Sequence, residues 1–257
     1  LAEYLTEKGF KVSVVNPLVI KRFSQTNLYR AKTDKKDAKT IAEYAEKYEL
    51  KKWNPESENA KKLRQLYTRI EMLRKQVHQN KRQLEAFSAS GFLDKILKNE
   101  INSSVRFLEN KIKKLENEMN RISLEEYSET MENLQSIPGV GKQTAMMMCL
   151  ITNNFEKFEH YKQLIAFVGF SPRIYQSGKS VKGKGHICKM GKSQIRKLLY
   201  LCSWSAKRWN KTCKEMYQRL KEKGKPERVI KIAIANKLIK QIFAIGKSKE
   251  KYQPNFC

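Results

Sequence analysis

Two aspartates three residues apart, Asp34 and Asp37, stand in the lysine-rich stretch AKTDKKDAKTIAEYA. On a helix, residues i and i+3 lie on neighbouring faces, so the two carboxylates would sit side by side. At about 100° per residue both acids fall near an apolar stripe. That stripe, which we expect to point inward, consists of Ala38, Ile41, Ala42 and Ala45. Inward carboxylates are costly unless they share a cation, and Mg²⁺ suits oxygen ligands and a substrate phosphate. The alternative is two acids that favour the helix dipole, worth about 0.3–1 kcal/mol each.

A second candidate site is the connection over residues 171–192, which is rich in glycine, serine and lysine. Glycines let a backbone approach a nucleic-acid strand closely, and lysines neutralise phosphates. Ser177, followed by Gly178, could be a nucleophile if a base removed its proton, although most such serines only form hydrogen bonds. His186 could carry a proton or contact a phosphate. The candidate phosphate contacts here and on the next helix are Lys179, Lys182, Lys184, Lys189, Lys192 and Arg196.

The turn IPGVG, residues 137–141, is a third candidate. Gly139 and Gly141 allow a tight turn between two helices, and the amides of a helix N-terminus hold a phosphate without reading a base. Together with Lys142, the turn resembles the helix–hairpin–helix element of DNA-handling proteins. The alternative is an ordinary helix–helix turn that needs glycine only for its geometry.

The net charge of the chain points to a polyanionic partner. The 257 residues carry 53 Lys and Arg against 26 Asp and Glu, a net charge of +27. Nucleic acid is the leading candidate, and an anionic membrane surface is the weaker one, because the cations are spread over many segments. No apolar run reaches the roughly 18 residues that span a bilayer. The five cysteines show no CxxC spacing, which favours reduced thiols and a cytoplasmic location.

Three regions are expected to position these residues, giving a mainly α fold. Residues 1–52 read as the end of an α/β domain: a helix ending at Gly9, a strand at KVSVVNP, and a helix from Thr33 or Asp34 to about Tyr48. Residues 130–250 read as a helical domain whose penultimate predicted helix buries one face. The inward residues of that helix are Ile195, Leu198, Leu199, Cys202 and Ala206. The last residues, GKSKEKYQPNFC, are expected to be loose.

Between these regions, residues 58–125 read as an antiparallel coiled-coil hairpin. Apolar residues repeat at alternating spacings of three and four along two helices, with one polar break at Asn80. The seam consists of Leu63, Leu66, Ile70, Leu73, Val77, Leu84 and Phe87, then Ile101, Val105, Leu108, Ile112, Leu115, Met119 and Ile122. The hairpin could complete itself by dimerisation or by packing on its own domain; the polar break slightly favours a specific partner.

The ordered motifs resemble a known family. VVNP, KTDKKDA, SIPGVGKQTA, AFVGFSPRIYQSGKS, GHICKMGKSQIRKLLY and AIANKLI are similar, in this order, to segments of the insertion sequence one-ten transposases, relatives of the Piv/MooV DNA invertases. The resemblance implies a RuvC-like nuclease domain with an Asp-Glu-Asp-Asp set that binds Mg²⁺, a coiled coil and a helical transposase domain. Asp34 and Asp37 match the last two acids, and Ser177, rather than Ser180, matches the serine that links covalently to DNA. The family also implies a structured guide RNA as partner.

One departure from the family concerns the other two acids. The family's first Asp and its Glu are expected before residue 1, so this chain would hold half of the metal site. The chain is then either a fragment of a longer protein or a truncated copy. We therefore expect an insertion-sequence recombinase that acts through a serine–DNA intermediate in a dimer or tetramer. The alternative is a catalytically inactive nucleic-acid-binding protein.

Overall fold

The structure, a computed structural model, describes residues 1–26, 33–173, 176–177, 181–183 and 185–254. Backbone contacts divide the chain into two units, Leu1–Ser57 and Glu58–Cys257. Helices dominate the described backbone, which confirms the expectation of a mainly α fold. Within that part, no helix has both the length and the apolar character that crossing a membrane would require.

The described residues of the first unit form three helices, α1 (Ala2–Glu7), α2 (Pro17–Thr26) and α3 (Asp34–Lys47). Thr33 is the N-cap of α3, and its hydroxyl accepts a hydrogen bond from the Lys36 amide at 3.3 Å, as expected. Phe23 packs edge-on against the rings of Tyr44 and Tyr48, with centroids 5.3 and 6.1 Å away. This aromatic cluster determines which face of α3 turns towards α2.

The strand predicted at KVSVVNP is absent from the described structure, so that prediction is wrong. The segment contacts residues 51–53 through a backbone bond from Trp53 N to Val12 O at 2.8 Å. The Ser13 hydroxyl adds a bond to Lys51 O at 2.9 Å. β-Branched residues favour a strand only where a neighbouring strand offers a ladder, and no described strand lies within Leu1–Ser57.

The predicted helical hairpin is present as α4 (Glu58–Ala89) and α5 (Lys95–Gln135). Bonds from Asn59 to Glu126 and from Lys81 to Glu109, at 3.1 and 2.7 Å, fix the antiparallel register. The seam residues are buried or half-buried along both helices. At the α4 N-terminal end, Ala60, Leu63 and Tyr67 join the core formed by the C-terminal helices. The root of the hairpin therefore packs within its own unit, while supercoiling and dimerisation stay predictions.

Five further helices lie in the described part of the second unit: α6 (Lys142–Thr152), α7 (Tyr161–Val168), α8 (Ser193–Trp209), α9 (Lys211–Glu222) and α10 (Glu227–Ser248). The predicted inward face of α8 is confirmed, because Ile195, Leu199 and Ala206 are fully or almost fully buried. Helix α10 lies at the centre of the core and packs against α5, α7, α8 and α9. The sequence pattern did not predict α9 as a separate helix.

The residues after α10 are docked where we expected a loose tail, so that prediction is wrong for the described part. Asn133 donates to Lys249 O at 2.8 Å, and the Tyr252 amide donates to the Ser136 hydroxyl at 2.7 Å. Lys251 pairs with Glu132 at 2.6 Å. The tail thus packs along the end of α5, because that helix end supplies partners for its polar groups.

Candidate nucleic-acid interface

In its described part, the segment predicted as a cationic loop contains two antiparallel strand pairs, which we call the hairpin. Strands β1 (Pro172–Arg173) and β4 (His186–Ile187) pair antiparallel, as do β2 (Gln176–Ser177) and β3 (Val181–Lys182). Ser177 lies opposite Val181, and Gln176 lies opposite Lys182. The candidate nucleophile is therefore on the inner strand pair, next to the connection of three residues. Lys179, Ser180 and Lys184, which we also singled out, lie outside the described residues.

The base of this hairpin is clamped to the C-terminal end of α7. Cys188 N donates to Ser171 O at 2.8 Å, and Lys189 N donates to Gly169 O at 3.1 Å. Gly191 has a φ of +137°, and a Cβ placed there would lie 2.2 Å from Phe167 O. Only glycine fits this contact, so the glycine pattern that suggested an adaptable loop also serves rigid anchoring.

Two of the predicted phosphate contacts take part in the same clamp. Arg196 donates from Nη1 to Val168 O at 2.8 Å, which satisfies a terminal carbonyl of α7 where a cation is favoured. The Lys192 ammonium lies 6.0 Å from the centre of the Phe167 ring, and that of Lys157 lies 5.1 Å from it. Lys189 and Lys192 are exposed, so the hairpin base presents cations to solvent.

The IPGVG turn joins α5 to α6 and uses its two glycines differently. Gly139, with a φ of +102°, approaches α8 so closely that an added Cβ would lie 2.8 Å from Ala206 N. Gly141 is the exposed N-cap of α6, with no atom within 4 Å of an added Cβ. Lys142 is also exposed. The open side of the turn, at Gly141 and Lys142, is thus the part that a phosphate could reach.

The orientation predicted for α3 is wrong. Asp34 and Ala38 are exposed to solvent, and Ile41 is 53% exposed. The buried residue is Thr40, and Asp37, one turn earlier, is half-buried. Tyr44, on the Thr40 side of the helix, packs on Phe23 of α2, which outweighs the small apolar stripe. Both aspartates lie in the first turn of the helix, a position that suits a metal site and also suits a favourable interaction with the helix dipole.

A polar cluster that the sequence did not single out joins α8, α9 and α10. Glu227 accepts bonds from Lys207 at 2.8 Å and from the Tyr217 hydroxyl at 2.9 Å, and it pairs with Lys231 at 3.3 Å. The hydrogen bonds from Lys207 and Tyr217, and then that from Lys231, lower the pKa of the Glu227 carboxyl to about 2. Lys231 itself is 5% exposed and lies under the Trp204 ring. The periodicity of α8 places Trp204 opposite the buried face, and this exposed aromatic residue is the sequence feature that could have pointed to the cluster.

Two transposase family profiles match this chain. The profile of the Transposase IS116/IS110/IS902 family matches residues 131–218, the region of the turn, the hairpin and α8. A second transposase profile, of the IS110 DEDD type, matches residues 1–92. The chain belongs to the IS110 family of transposases. DNA is therefore its partner, and its activity is transposition or recombination.

Relatives of this transposase include DNA-rearranging proteins. The pilin gene-inverting protein of Moraxella lacunata is 28% identical over 249 residues, which cover 95% of this chain and 75% of the relative. The corresponding Moraxella bovis protein is also 28% identical. The transposase for insertion sequence element IS1111A of Coxiella burnetii is 33% identical over 130 residues, covering 49% of this chain and 35% of the relative.

The DEDD type of transposase implies a divalent metal ion, and the two aspartates fit part of such a site. Mg²⁺ is often held by one or two carboxylates, with waters and substrate phosphates as its other ligands. Asp34 and Asp37 supply two carboxylates of this kind in one helical turn. Among the described residues, no group of three or more His, Cys, Asp or Glu side chains gathers around them or elsewhere. The donor type thus fits the ion, and the remaining ligands would come from outside this group.

Proposed function

We propose that this transposase cuts and rejoins DNA strands through a covalent phosphoserine at Ser177. The observation that carries the proposal is the hairpin: Ser177 lies on β2 opposite Val181 of β3, and the residues after β4 bond to the end of α7, to which Arg196 of α8 also donates. A nucleophile must be held within a few tenths of an ångström of its target, and an anchored hairpin restricts position better than a free loop does. Cations at the base, at Lys189 and Lys192, would draw in the DNA backbone.

The chemistry is a pair of phosphoryl transfers. The Ser177 oxygen forms an ester bond to the scissile phosphorus, the bond to the DNA oxygen breaks, and the departing oxygen takes a proton. A strand hydroxyl then attacks the phosphoserine, the serine ester breaks, and the serine recovers its proton. Energy in the phosphodiester is thereby conserved, so that no external energy source is needed for rejoining.

Asp34 and Asp37 would hold the Mg²⁺ ion at the N-terminus of α3. The ion would supply charge stabilisation at the scissile phosphate. The aspartates themselves would fix its position, because both belong to one helical turn. Since Asp34 is exposed and Asp37 is half-buried, a phosphate could approach from the side of Asp34.

The partners and assembly follow from charge and shape. The net charge of +27 suits a chain that faces both DNA and a structured guide RNA, which would be its additional partner. The IPGVG turn would act as a helix–hairpin–helix phosphate contact through Gly141 and Lys142. The distal part of the α4–α5 hairpin, outside the shared core, would supply the coiled-coil contact for a dimer or tetramer.

The test measures the covalent adduct directly. The full chain is incubated with Mg²⁺ and a DNA substrate that carries a nick next to the cleavage position, so that the cut strand cannot be resealed. The unchanged protein is expected to give an adduct that survives denaturing electrophoresis. Ser177→Ala should abolish it, whereas the matched variant Ser180→Ala should retain it.

Three results discriminate between the readings. An adduct that persists in Ser177→Ala would refute the serine assignment. Loss of the adduct in Asp37→Asn, with DNA binding retained, supports the metal role of the acids. If the unchanged protein binds DNA tightly but neither cuts it nor forms an adduct, the non-catalytic nucleic-acid-binding alternative is correct.

A further inference from the structure

The outward face of α8 carries an aromatic ring in a cationic stripe. Lys197, Leu201, Trp204 and Arg208 follow one another at spacings of three and four, opposite the buried side of the helix. Leu201 is 54% exposed and Trp204 is 48% exposed. The helix has four Lys or Arg residues and no Asp or Glu. Such a face combines apolar surface with cations and carries no acidic residue of its own.

The indole of Trp204 is held firmly from its inner side. The Lys231 ammonium lies 3.3 Å from the ring centre, and this lysine is almost completely buried. Glu227 pairs with Lys231 at 3.3 Å and with Lys207 at 2.8 Å. One side of the ring therefore faces a fixed cation, while about half of the side chain remains open to solvent. A buried charge beneath an exposed ring fixes the ring orientation before any partner arrives.

We propose that Trp204 is a stacking platform for an unpaired base of single-stranded DNA, with Lys197 and Arg208 contacting the flanking phosphates. The proposal rests on the proposed function, because strand cleavage and exchange expose unpaired DNA. Aromatic rings that alternate with cations are the elements that single-strand binders use. A second copy of this chain is a poorer occupant, because two such faces would bring like charges together.

The position of α8 sets the distance between Trp204 and the base of the hairpin that carries Ser177. The helix begins at Ser193, directly after the base of the hairpin that carries Ser177. Trp204 lies 12 residues beyond Lys192, so at 1.5 Å per residue it is about 18 Å along the helix axis. A DNA strand that runs along this helix from the hairpin base would therefore meet the ring after about 18 Å.

Tryptophan fluorescence tests the contact in the full chain. The variant Trp53→Phe/Trp209→Phe leaves Trp204 as the single indole. Titration with a fluorescein-labelled 15-nucleotide dT strand follows quenching of the indole and, separately, anisotropy of the label. We expect quenching that saturates together with the anisotropy, and much less quenching by a duplex of equal length. Full binding by anisotropy without any change in indole emission would overturn the proposal.

Two substitutions at the ring separate stacking from coverage of the buried lysine. Trp204→Phe keeps an aromatic face and should bind the dT strand within about threefold of the unchanged protein. Trp204→Leu keeps apolar cover over Lys231 but removes the stacking face, and binding should weaken about 5- to 100-fold. Trp209→Leu, at the exposed end of the same helix, is the matched control and should bind normally. Equal affinity for Trp204→Leu and the unchanged protein would refute the stacking role.

Two further arms identify the occupant and separate this proposal from the serine mechanism. Tighter binding and stronger quenching by a 15-nucleotide U strand than by dT would overturn the assignment to DNA. A Trp204-dependent rise in the dimer fraction without DNA would overturn it in favour of a second copy. Ser177→Ala, which should lose the adduct, should still show quenching of the Trp204 indole by dT, so loss of the nucleophile and loss of stacking give different results.

Discussion

Gly139 offers the sharpest test of how the second unit is packed. The substitution Gly139→Ala places a methyl group 2.8 Å from Ala206 Cβ, 2.8 Å from Ala206 N and 2.9 Å from Ala206 Cα. Two of these atoms belong to the backbone of α8, so neither rotamer change nor side-chain movement relieves the clash. The φ of +102° adds strain, because L-residues with a Cβ rarely adopt it.

The magnitude follows from these two effects. Overpacking of a tight contact typically destabilises by about 1–3 kcal/mol. A non-glycine residue in a sparsely populated backbone region adds about 1–3 kcal/mol. We therefore expect the free energy of unfolding to fall by about 4 kcal/mol, which lowers the melting temperature by roughly 8–16 °C in a unit of this size.

Urea denaturation followed by circular dichroism measures the change, and two variants control it. Gly141→Ser sits two residues away, meets no atom within 4 Å and supplies a favourable N-cap, so it should be neutral or slightly stabilising. Ala206→Gly in the Gly139→Ala background should rescue only partly, since the backbone atoms remain. If Gly139→Ala unfolds within about 0.5 kcal/mol of the unchanged protein, our account of the α5–α6 turn packed on α8 is wrong.

Two more predictions concern the Glu227 cluster and the hairpin base. The pKa of Glu227 is about 2, below its unfolded value of about 4.5, so its stabilising contribution is present above pH 4.5 and is lost as the pH falls towards 2. The difference in the free energy of unfolding between the unchanged protein and Glu227→Gln should therefore shrink from pH 6 to pH 3. The control Glu222→Gln, at an exposed site, should show little difference at either pH. A difference for Glu227→Gln that is independent of pH would contradict the ion-pair account. Gly191→Ala should lower the yield of the Ser177 adduct about tenfold or more, because its Cβ would meet Phe167 O at 2.2 Å and displace the hairpin. The control Gly185→Ala meets no atom within 4 Å and should leave the yield unchanged. Equal yields from the two variants would contradict anchoring of the hairpin at Gly191.

Periodicity predicted the helices of the second unit well except for α9, because each predicted helix buries a face within that unit. The seam of α4 and α5 and the inward side of α8 follow directly from spacings of three and four. The N-cap at Thr33 was also predictable, since capping depends on neighbouring residues alone. These features were predictable because each depends on neighbouring residues or on one apolar stripe of a helix.

Features that depend on distant partners were not predictable in this way. The strand at KVSVVNP needed a ladder that Leu1–Ser57 does not provide among its described residues, and α3 turned its Tyr44 side towards α2 instead of its alanine stripe. The β-hairpin was hidden by its glycines and lysines, which resemble those of a loop. Of the candidate site, helical spacing singled out Asp34 and Asp37 and resemblance singled out Ser177, and their roles stay predictions. The platform proposed at Trp204 required knowledge of the buried Lys231.

The docked tail has a consequence for how the chain folds as it is made. Its partners Asn133 and Ser136 precede Lys249 and Tyr252 by 116 residues each. On the ribosome, α4 and α5 can pair early, because their contacts are close in sequence, whereas the end of α5 must wait for residues near 252 to leave the exit tunnel. At roughly 5–20 residues per second, that interval lasts from about 6 to 23 seconds. During it, the apolar root of the hairpin is exposed to chaperones and proteases, and synthesis of the segment around Tyr252 closes this period.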